Sequence, residues 1–140
     1  MPNKRILVVD DEANIGLSLR MILEGAGYSI SICHSAQEFR AHLAARRADA
    51  YLLDVRLPDG NGIDLLRQLR QSDSRAPVIM ISGHGTIGDA VEATRAGAFD
   101  FLEKPLSRDK VLLVVKNALE QANLRRRTSD FVRSSATHRK

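Results

Sequence analysis

The sequence predicts an α/β domain, a doubly wound five-stranded parallel sheet with helices packed on both faces. Short apolar runs alternate five times with stretches of helical periodicity, and alternation of this kind builds a parallel sheet through right-handed crossovers. Runs such as ILVV at 6–9 and VIMI at 78–81 are continuously hydrophobic, as strands covered on both faces must be. The residues that follow these runs are polar, so one edge of the sheet gathers them.

Arg5 to Val9 reads as the first strand, and Ala13 to Ala26 as a helix with Ile15, Leu19, Ile22 and Leu23 on one face and Gly27 as its stop. Ser29 to Cys33 alternates like a second strand. Ser35 supplies an N-cap for a helix through Phe39, Leu43 and Ala44. Tyr51 to Leu53 is the third strand, closed by Asp54 and a turn that Pro58, Gly60 and Gly62 suit, before a helix over Ile63 to Leu69. Pro77 opens the fourth strand, VIMIS, and Thr86 with Asp89 forms a capping box for a helix that runs to Ala96 and stops at Gly97. Phe99 to Leu102 is the fifth strand. From Ser107 the pattern Val111, Leu112, Val114, Val115, Ala118, Leu119 makes the last helix.

With 140 residues, 44% hydrophobic and 27% charged, the chain fits one domain with a single core. No apolar run approaches the ~20 residues of a membrane span. The N-terminus MPNKRILVVDDE reaches acidic residues too early for a secretory signal, so the expected location is the cytoplasm. Cys33 is the sole cysteine, which excludes disulfide frameworks and reads as apolar filler at a strand end. The net charge of +4 is concentrated at the end of the chain, where residues 121–140 carry six basic side chains against Asp130. The first 120 residues hold 15 basic and 16 acidic residues, a net of −1, so direct nucleic-acid binding by the body is not expected. The tail TSDFVRSSATHRK lacks the apolar periodicity of a packed element and reads as a solvated linker.

Asp10, Asp11 and Glu12 follow the first strand, Asp54 ends the third, Ser82 the fourth, and Lys104 follows the fifth. In a parallel sheet these ends share the edge where ligands bind, at the point where strand order reverses. Asp10, Asp11 and Asp54 would bring three carboxylates together, and an oxygen-seeking divalent cation would relieve their repulsion. Mg2+ suits such a site, because it takes one or two carboxylates, keeps waters and accepts phosphate oxygens. With Lys104 as a cation and Ser82 as a hydroxyl donor, Asp54 is placed to become an acyl phosphate.

The motifs VVDDE at 8–12, LLDVRLPDGNG at 52–62, MISGHG at 80–85 and FLEKPL at 101–106 together resemble the CheY-like receiver domain of two-component response regulators. The likeness covers about residues 4–120. It implies a flavodoxin-like (βα)5 fold with strand order 2-1-3-4-5, and transfer of a phosphoryl group from a histidine kinase to Asp54, giving a 4-aspartylphosphate. Carried onto this sequence, it implies that Asp11, Asp54 and the Arg56 backbone carbonyl bind Mg2+, while Asp10 acts through a metal-bound water. Lys104 would pair with Asp54 and then with the phosphoryl group. Ser82, where many relatives have threonine, would swing to hydrogen-bond it, and Phe101 would turn inward as the switch, reshaping the surface of the fourth helix, fifth strand and fifth helix. Lys104-Pro105 would be cis, and Arg56 and His84 would tune loss of the phosphoryl group.

The segments ISGHGTI and GAFDFLEKPL, with the tail, more narrowly resemble receivers of NtrC-type regulators. Those continue into an ATPase domain acting on sigma-54 RNA polymerase and a DNA-binding domain that controls transcription. The expected division is therefore a receiver at 1–121 and a basic tail at 122–140 leading to output domains beyond the sequence. A stand-alone receiver that regulates a partner by contact is the alternative. Leu112, Val115, Leu119 and Ala122 have 3-4-3 spacing that could begin a coiled-coil homodimer, but Arg126 interrupts it, and packing on the sheet is the expectation for Leu112 to Leu119.

Each residue also has a structural reading. Asp54 could cap the turn after its strand, Asp10 and Asp11 could stabilise the start of the first helix, and Phe101 could be core filler. Ser82 could be a turn residue, Lys104 a solvated lysine and His84 a surface histidine. Other functions fit less well. An aspartyl-phosphate hydrolase would need specificity loops or a cap, and the connections here are short. A nucleotide or flavin binder would want a glycine-rich loop where VVDDEAN is acidic. An interaction domain that had lost phosphorylation would not need Asp11, Asp54, Ser82 and Lys104 together.

Overall fold

The computed structural model describes residues 3–72 and 75–138, and side-chain surroundings as far as Leu124. The elements in order are β1 (Arg5–Val9), α1 (Ala13–Gly25), β2 (Ser29–Cys33), α2 (Ala36–Ala45), β3 (Ala50–Asp54), β4 (Arg56–Leu57), β5 (Gly60–Asn61), α3 (Gly62–Gln71), β6 (Val78–Ser82), α4 (Ile87–Ala96), β7 (Asp100–Glu103) and α5 (Arg108–His138). Five strands form one parallel sheet of order β2-β1-β3-β6-β7. Counted without the small β4-β5 hairpin, this is the expected order 2-1-3-4-5.

The absence of hydropathy alternation in the central strands follows from where their side chains go. Leu7, Val9, Tyr51, Leu53, Val78 and Met80 face a core closed by Phe39 of α2, Ile63, Leu65, Leu66 and Leu69 of α3, and Ala93 of α4. The intervening Ile6, Val8, Ala50, Leu52, Ile79 and Ile81 face Leu19 and Leu23 of α1 and Val111, Val115 and Ala118 of α5. Each strand therefore needs apolar side chains at every position. Truncating one of the buried leucines to alanine removes about 2–5 kcal/mol.

The helix ends follow the expected chemistry. Ser35 caps α2 by accepting from the Glu38 N–H, and α4 opens on a reciprocal Thr86–Asp89 capping box and closes on left-handed Gly97. Cys33 is buried, and burial pushes its thiol up to about 11, as suits a small apolar filler. Two elements differ from the sequence expectation. The turn after Asp54 contains a two-stranded antiparallel hairpin, pairing Arg56 with Asn61 and Leu57 with Gly60. Strands of two residues carry no periodicity that could announce them. The last helix also continues through the residue-121 boundary to His138. Of the expected tail, the side chains after Leu124 and residues 139–140 lie outside the described residues. Before that point Val111, Val115, Ala118 and Leu119 pack on the sheet, while Leu113 and Leu124 are exposed.

The junction of β3, the hairpin and α3 depends on Gly62. Its N–H donates to the Val55 carbonyl at 2.7 Å, and a side chain at this position would run into the Asp54 backbone carbonyl and come within 3.1 Å of Met80 Cε. Backbone atoms cannot step aside as a flexible side chain can. Gly62→Ala is expected to lower unfolding free energy by about 1–3 kcal/mol in urea denaturation. An unchanged midpoint would refute this close approach.

Candidate functional site

The ends of β1, β3, β6 and β7 form one edge of the sheet, and β1 pairs with β2 on one side and β3 on the other. Chain order reverses there, which opens a crevice between the loops after β1 and β3. Asp10, the first residue past β1, is fully buried, and Asp54, the last of β3, is 5% exposed. Lys104 follows β7 and reaches back across the edge. Its Nζ lies 2.8 Å from Glu12 Oε1, 3.0 Å from Asp10 Oδ2 and 3.3 Å from Asp54 Oδ2.

The second carboxylate oxygens are held by backbone. Asp10 Oδ1 accepts from the Glu12 N–H at 2.8 Å, and Asp54 Oδ1 accepts from the Arg56 N–H at 3.2 Å. Asp10 Oδ2 is buried without a directed hydrogen bond, so its contact with Lys104 is an ion pair without hydrogen-bond alignment. Behind Asp10, its N–H donates to the Cys33 carbonyl, and its own carbonyl lies 3.1 Å from His34 Nδ1.

Electrostatics at this edge are unbalanced. Carboxylate oxygens of Asp10, Glu12 and Asp54 all lie within 4.8 Å of one another, and one ammonium serves all three. Burial raises the Asp54 carboxyl to about 6, with the neighbouring charge of Asp10 adding to it and Lys104 opposing it. Burial also works against the Lys104 charge, but contacts with Glu12 and Asp10 and the charges of Asp10 and Asp54 outweigh it, holding the proton above the ordinary lysine range. The hydrogen bond and charge of Lys104 keep the exposed Glu12 carboxyl below its usual value.

This donor set fits Mg2+. The oxygens are hard, Asp10 Oδ2 is buried with no aligned donor, and the surplus negative charge is what a divalent cation neutralises. The membership of the cluster differs from the sequence expectation. Asp11 is exposed and is not among the three clustered carboxylates, whereas Glu12 is.

Ser82, at the end of β6 and 1% exposed, accepts from the His84 N–H at 3.2 Å through Oγ, and its carbonyl accepts from the Lys104 N–H at 2.8 Å. His84 is exposed beside the cluster. Phe101 is half-buried in β7 against the core below α3 and α4. The loop after Ser82 crosses over it so closely that a side chain on Gly85 would come within 2.9 Å of the ring. The Lys104–Pro105 bond is cis. Arg56 is exposed, with its backbone tied to Asp54 and its side chain outside the cluster. Two residues that sequence reasoning left without a role take part here. Glu12 makes the shortest contact with Lys104, and Asp59 accepts from the Ala36 and Gln37 N–H groups at 2.7 and 3.0 Å. Glu12 was visible as a third acidic residue after β1, but no local signal joins Asp59 to α2.

Among the described residues no helix is long and apolar enough to cross a membrane. The description of the response regulator receiver domain matches residues 6–116. The chain is 38% identical over 135 residues to nitrogen assimilation regulatory protein NtrX of Azorhizobium caulinodans, an alignment covering 95% of this chain and 30% of that protein. The crystal structure of NtrX from Brucella abortus superposes with a TM-score of 0.86 at 38% identity, over 93% of this chain and 30% of that one. The solution structure of the beryllofluoride-activated NtrC4 receiver domain dimer superposes with a TM-score of 0.80 at 38% identity, over 84% of this chain and 98% of that one. The chain thus spans about a third of the length of the NtrX proteins and most of an isolated receiver. With the carboxylates, hydroxyl and lysine gathered at the strand ends of a five-stranded CheY-like sheet, these likenesses show that the chain belongs to the response regulator receiver domain family of two-component signalling.

Proposed function

We propose that Asp54 accepts a phosphoryl group from the phosphohistidine of a kinase and that the phosphorylated form switches the surface of α4, β7 and α5. The observation that carries this reading is the placement of the Asp54 carboxylate, 5% exposed at the sheet edge and 3.3 Å from the Lys104 ammonium. An Asp54 oxygen attacks phosphorus as the phosphorus–nitrogen bond of the donor breaks, giving an acyl phosphate and a free imidazole. The residues that would hold Mg2+ are Asp54, Asp11 and the Arg56 carbonyl, with Asp10 acting through water and Glu12 close by. When bound, the ion neutralises charge between the carboxylate and the incoming phosphoryl oxygens.

Lys104 then exchanges its Asp54 contact for a phosphoryl oxygen, and the Ser82 hydroxyl turns to donate to another. Moving Ser82 empties space beside the Phe101 ring, which turns inward and alters the face made by α4 and β7. In the full-length protein that face would control an ATPase and a DNA-binding domain of the NtrC type, connected through residues 122–140. NtrX-like relatives and an NtrC4 receiver described as a dimer when activated support this reading, including a homodimer.

Incubation with acetyl phosphate and Mg2+ is expected to add one phosphoryl group by intact mass. No gain in the wild type, or a persistent gain in Asp54→Asn, would overturn the assignment. Arg56→Ala and His84→Ala are expected to change the dephosphorylation rate several-fold, and unchanged rates in both would remove their tuning role.

Titration of Asp54 gives an independent check. The folded carboxyl keeps its proton up to about pH 6, against an ordinary value of 3.8, so the folded state binds more protons in that window. Stability contributed by the neutral form is therefore lost as pH rises through it. In EDTA, Asp54→Asn is expected to be more stable than wild type above pH 6 by on the order of 2 kcal/mol, with the gap closing below pH 4. Mg2+ should narrow the gap by stabilising only the wild type. A pH-independent difference would contradict the burial of this charge.

A further inference from the structure

The β4-β5 hairpin carries Arg56, whose N–H holds Asp54 Oδ1, yet each of its strands pairs through only two residues. An isolated hairpin of that size does not hold its own shape in water, so its position must be fixed from outside. Leu57 rests half-buried against the core, and Asn61 Oδ1 accepts from the Ile63 N–H at 2.7 Å at the start of α3. The tip is held by Asp59 alone among these anchors, with Oδ1 2.7 Å from the Ala36 N–H and Oδ2 3.0 Å from the Gln37 N–H. Both donors belong to the first turn of α2, where backbone N–H groups have no partner within the helix. Gly60 lies beside the same helix turn, since a Cβ added there would come to 3.6 Å from the Ala36 side chain. The two backbone donors hold the Asp59 carboxyl below its usual value, Ala36 most strongly.

We infer that Asp59 is a positioning residue for the metal and phosphoacceptor site, lashing the hairpin to the N-terminus of α2 and so fixing Arg56 beside Asp54. The lash ties two loops on the same sheet edge, the one after β2 and the one after β3. Without it the hairpin pivots on Leu57 and Asn61, and the Arg56 backbone no longer has one position relative to the Asp54 carboxylate. The inference rests on the proposed role of the Arg56 carbonyl in holding Mg2+.

The test uses the whole chain and Mg2+ alone, followed by heteronuclear NMR of the Val55 and Arg56 amides. Asp59→Ala is expected to weaken Mg2+ binding about tenfold, as loss of a residue supporting a metal ligand does. Asp59→Asn, which retains one acceptor oxygen, should fall between. Ser35→Ala removes the other cap of the same helix, the bond from the Glu38 N–H at 3.1 Å, without touching the hairpin. It should lower the melting temperature much as Asp59→Ala does while leaving Mg2+ affinity at the wild-type value. With acetyl phosphate, Asp59→Ala should need more Mg2+ for half-maximal phosphorylation but approach the wild-type rate at saturation. Wild-type Mg2+ affinity in Asp59→Ala, or equal weakening in Ser35→Ala, would overturn the inference. If the wild type binds Mg2+ with the expected mutant pattern yet is never phosphorylated, the lash stands and the phosphoacceptor reading falls.

Discussion

One ammonium cannot neutralise three carboxylates, and the C-terminal edge of this sheet is arranged around that shortfall. Lys104 sits within 3.3 Å of Asp10, Glu12 and Asp54, and two of those three are almost wholly buried. Buried charge without full compensation is unfavourable, and here it is retained at the point where the fold opens. Burial raises the proton affinity of Asp54 and the neighbouring charge of Asp10 adds to it, while the surplus is what a divalent cation would neutralise. Each conclusion about the site derives from this imbalance. A fully paired edge would be more stable and would have nothing to react with.

The fold concentrates the imbalance because its sheet is covered on both faces. Every side chain of β1, β3 and β6 from Ile6, Ala50 and Val78 onward is buried, so polar groups can appear only where the strands end. Gly62 lets α3 begin against the Asp54 carbonyl, which keeps the loop after β3 short and turned toward the crevice. Ser82 and Lys104 come to the same edge through adjacent strands, with the Lys104 N–H bonded to the Ser82 carbonyl. Residues 50 positions apart in the chain thus meet through strand order rather than through any local preference.

Most of this edge could be read from the sequence. Asp10, Asp54, Ser82 and Lys104 were recognisable because each interrupts or follows a strongly apolar run, and a parallel sheet aligns such interruptions. Glu12 was harder, since an acidic residue beside a helix start reads as a helix-dipole partner, and its contact with Lys104 spans 92 positions. Asp59 was not legible as an anchor, because its partners are backbone N–H groups that have no sequence signature. The backbone of the last helix runs on to His138, past the basic residues at 125–127. Arginine is a good helix former, and a stretch with no apolar period carries no sequence signal that separates helix from linker.

Helix α4 is held differently from its neighbour α3. Its capping box and left-handed Gly97 close both termini with its own residues, and Ala93 is its one buried side chain. Ile87 and Val91 project outward, 86% and 44% exposed. Beyond Ala93 it meets the rest of the fold through Ala96, half-buried against the same core, the Arg67–Glu92 ion pair at 3.1 Å, and Arg70, which donates to the Gly97 carbonyl at 2.9 Å. By contrast, α3 is seated by Ile63, Leu65, Leu66 and Leu69 as well as Gly62. Displacing an element held largely by polar contacts at its rim would cost less than displacing one wedged in by four branched apolar side chains.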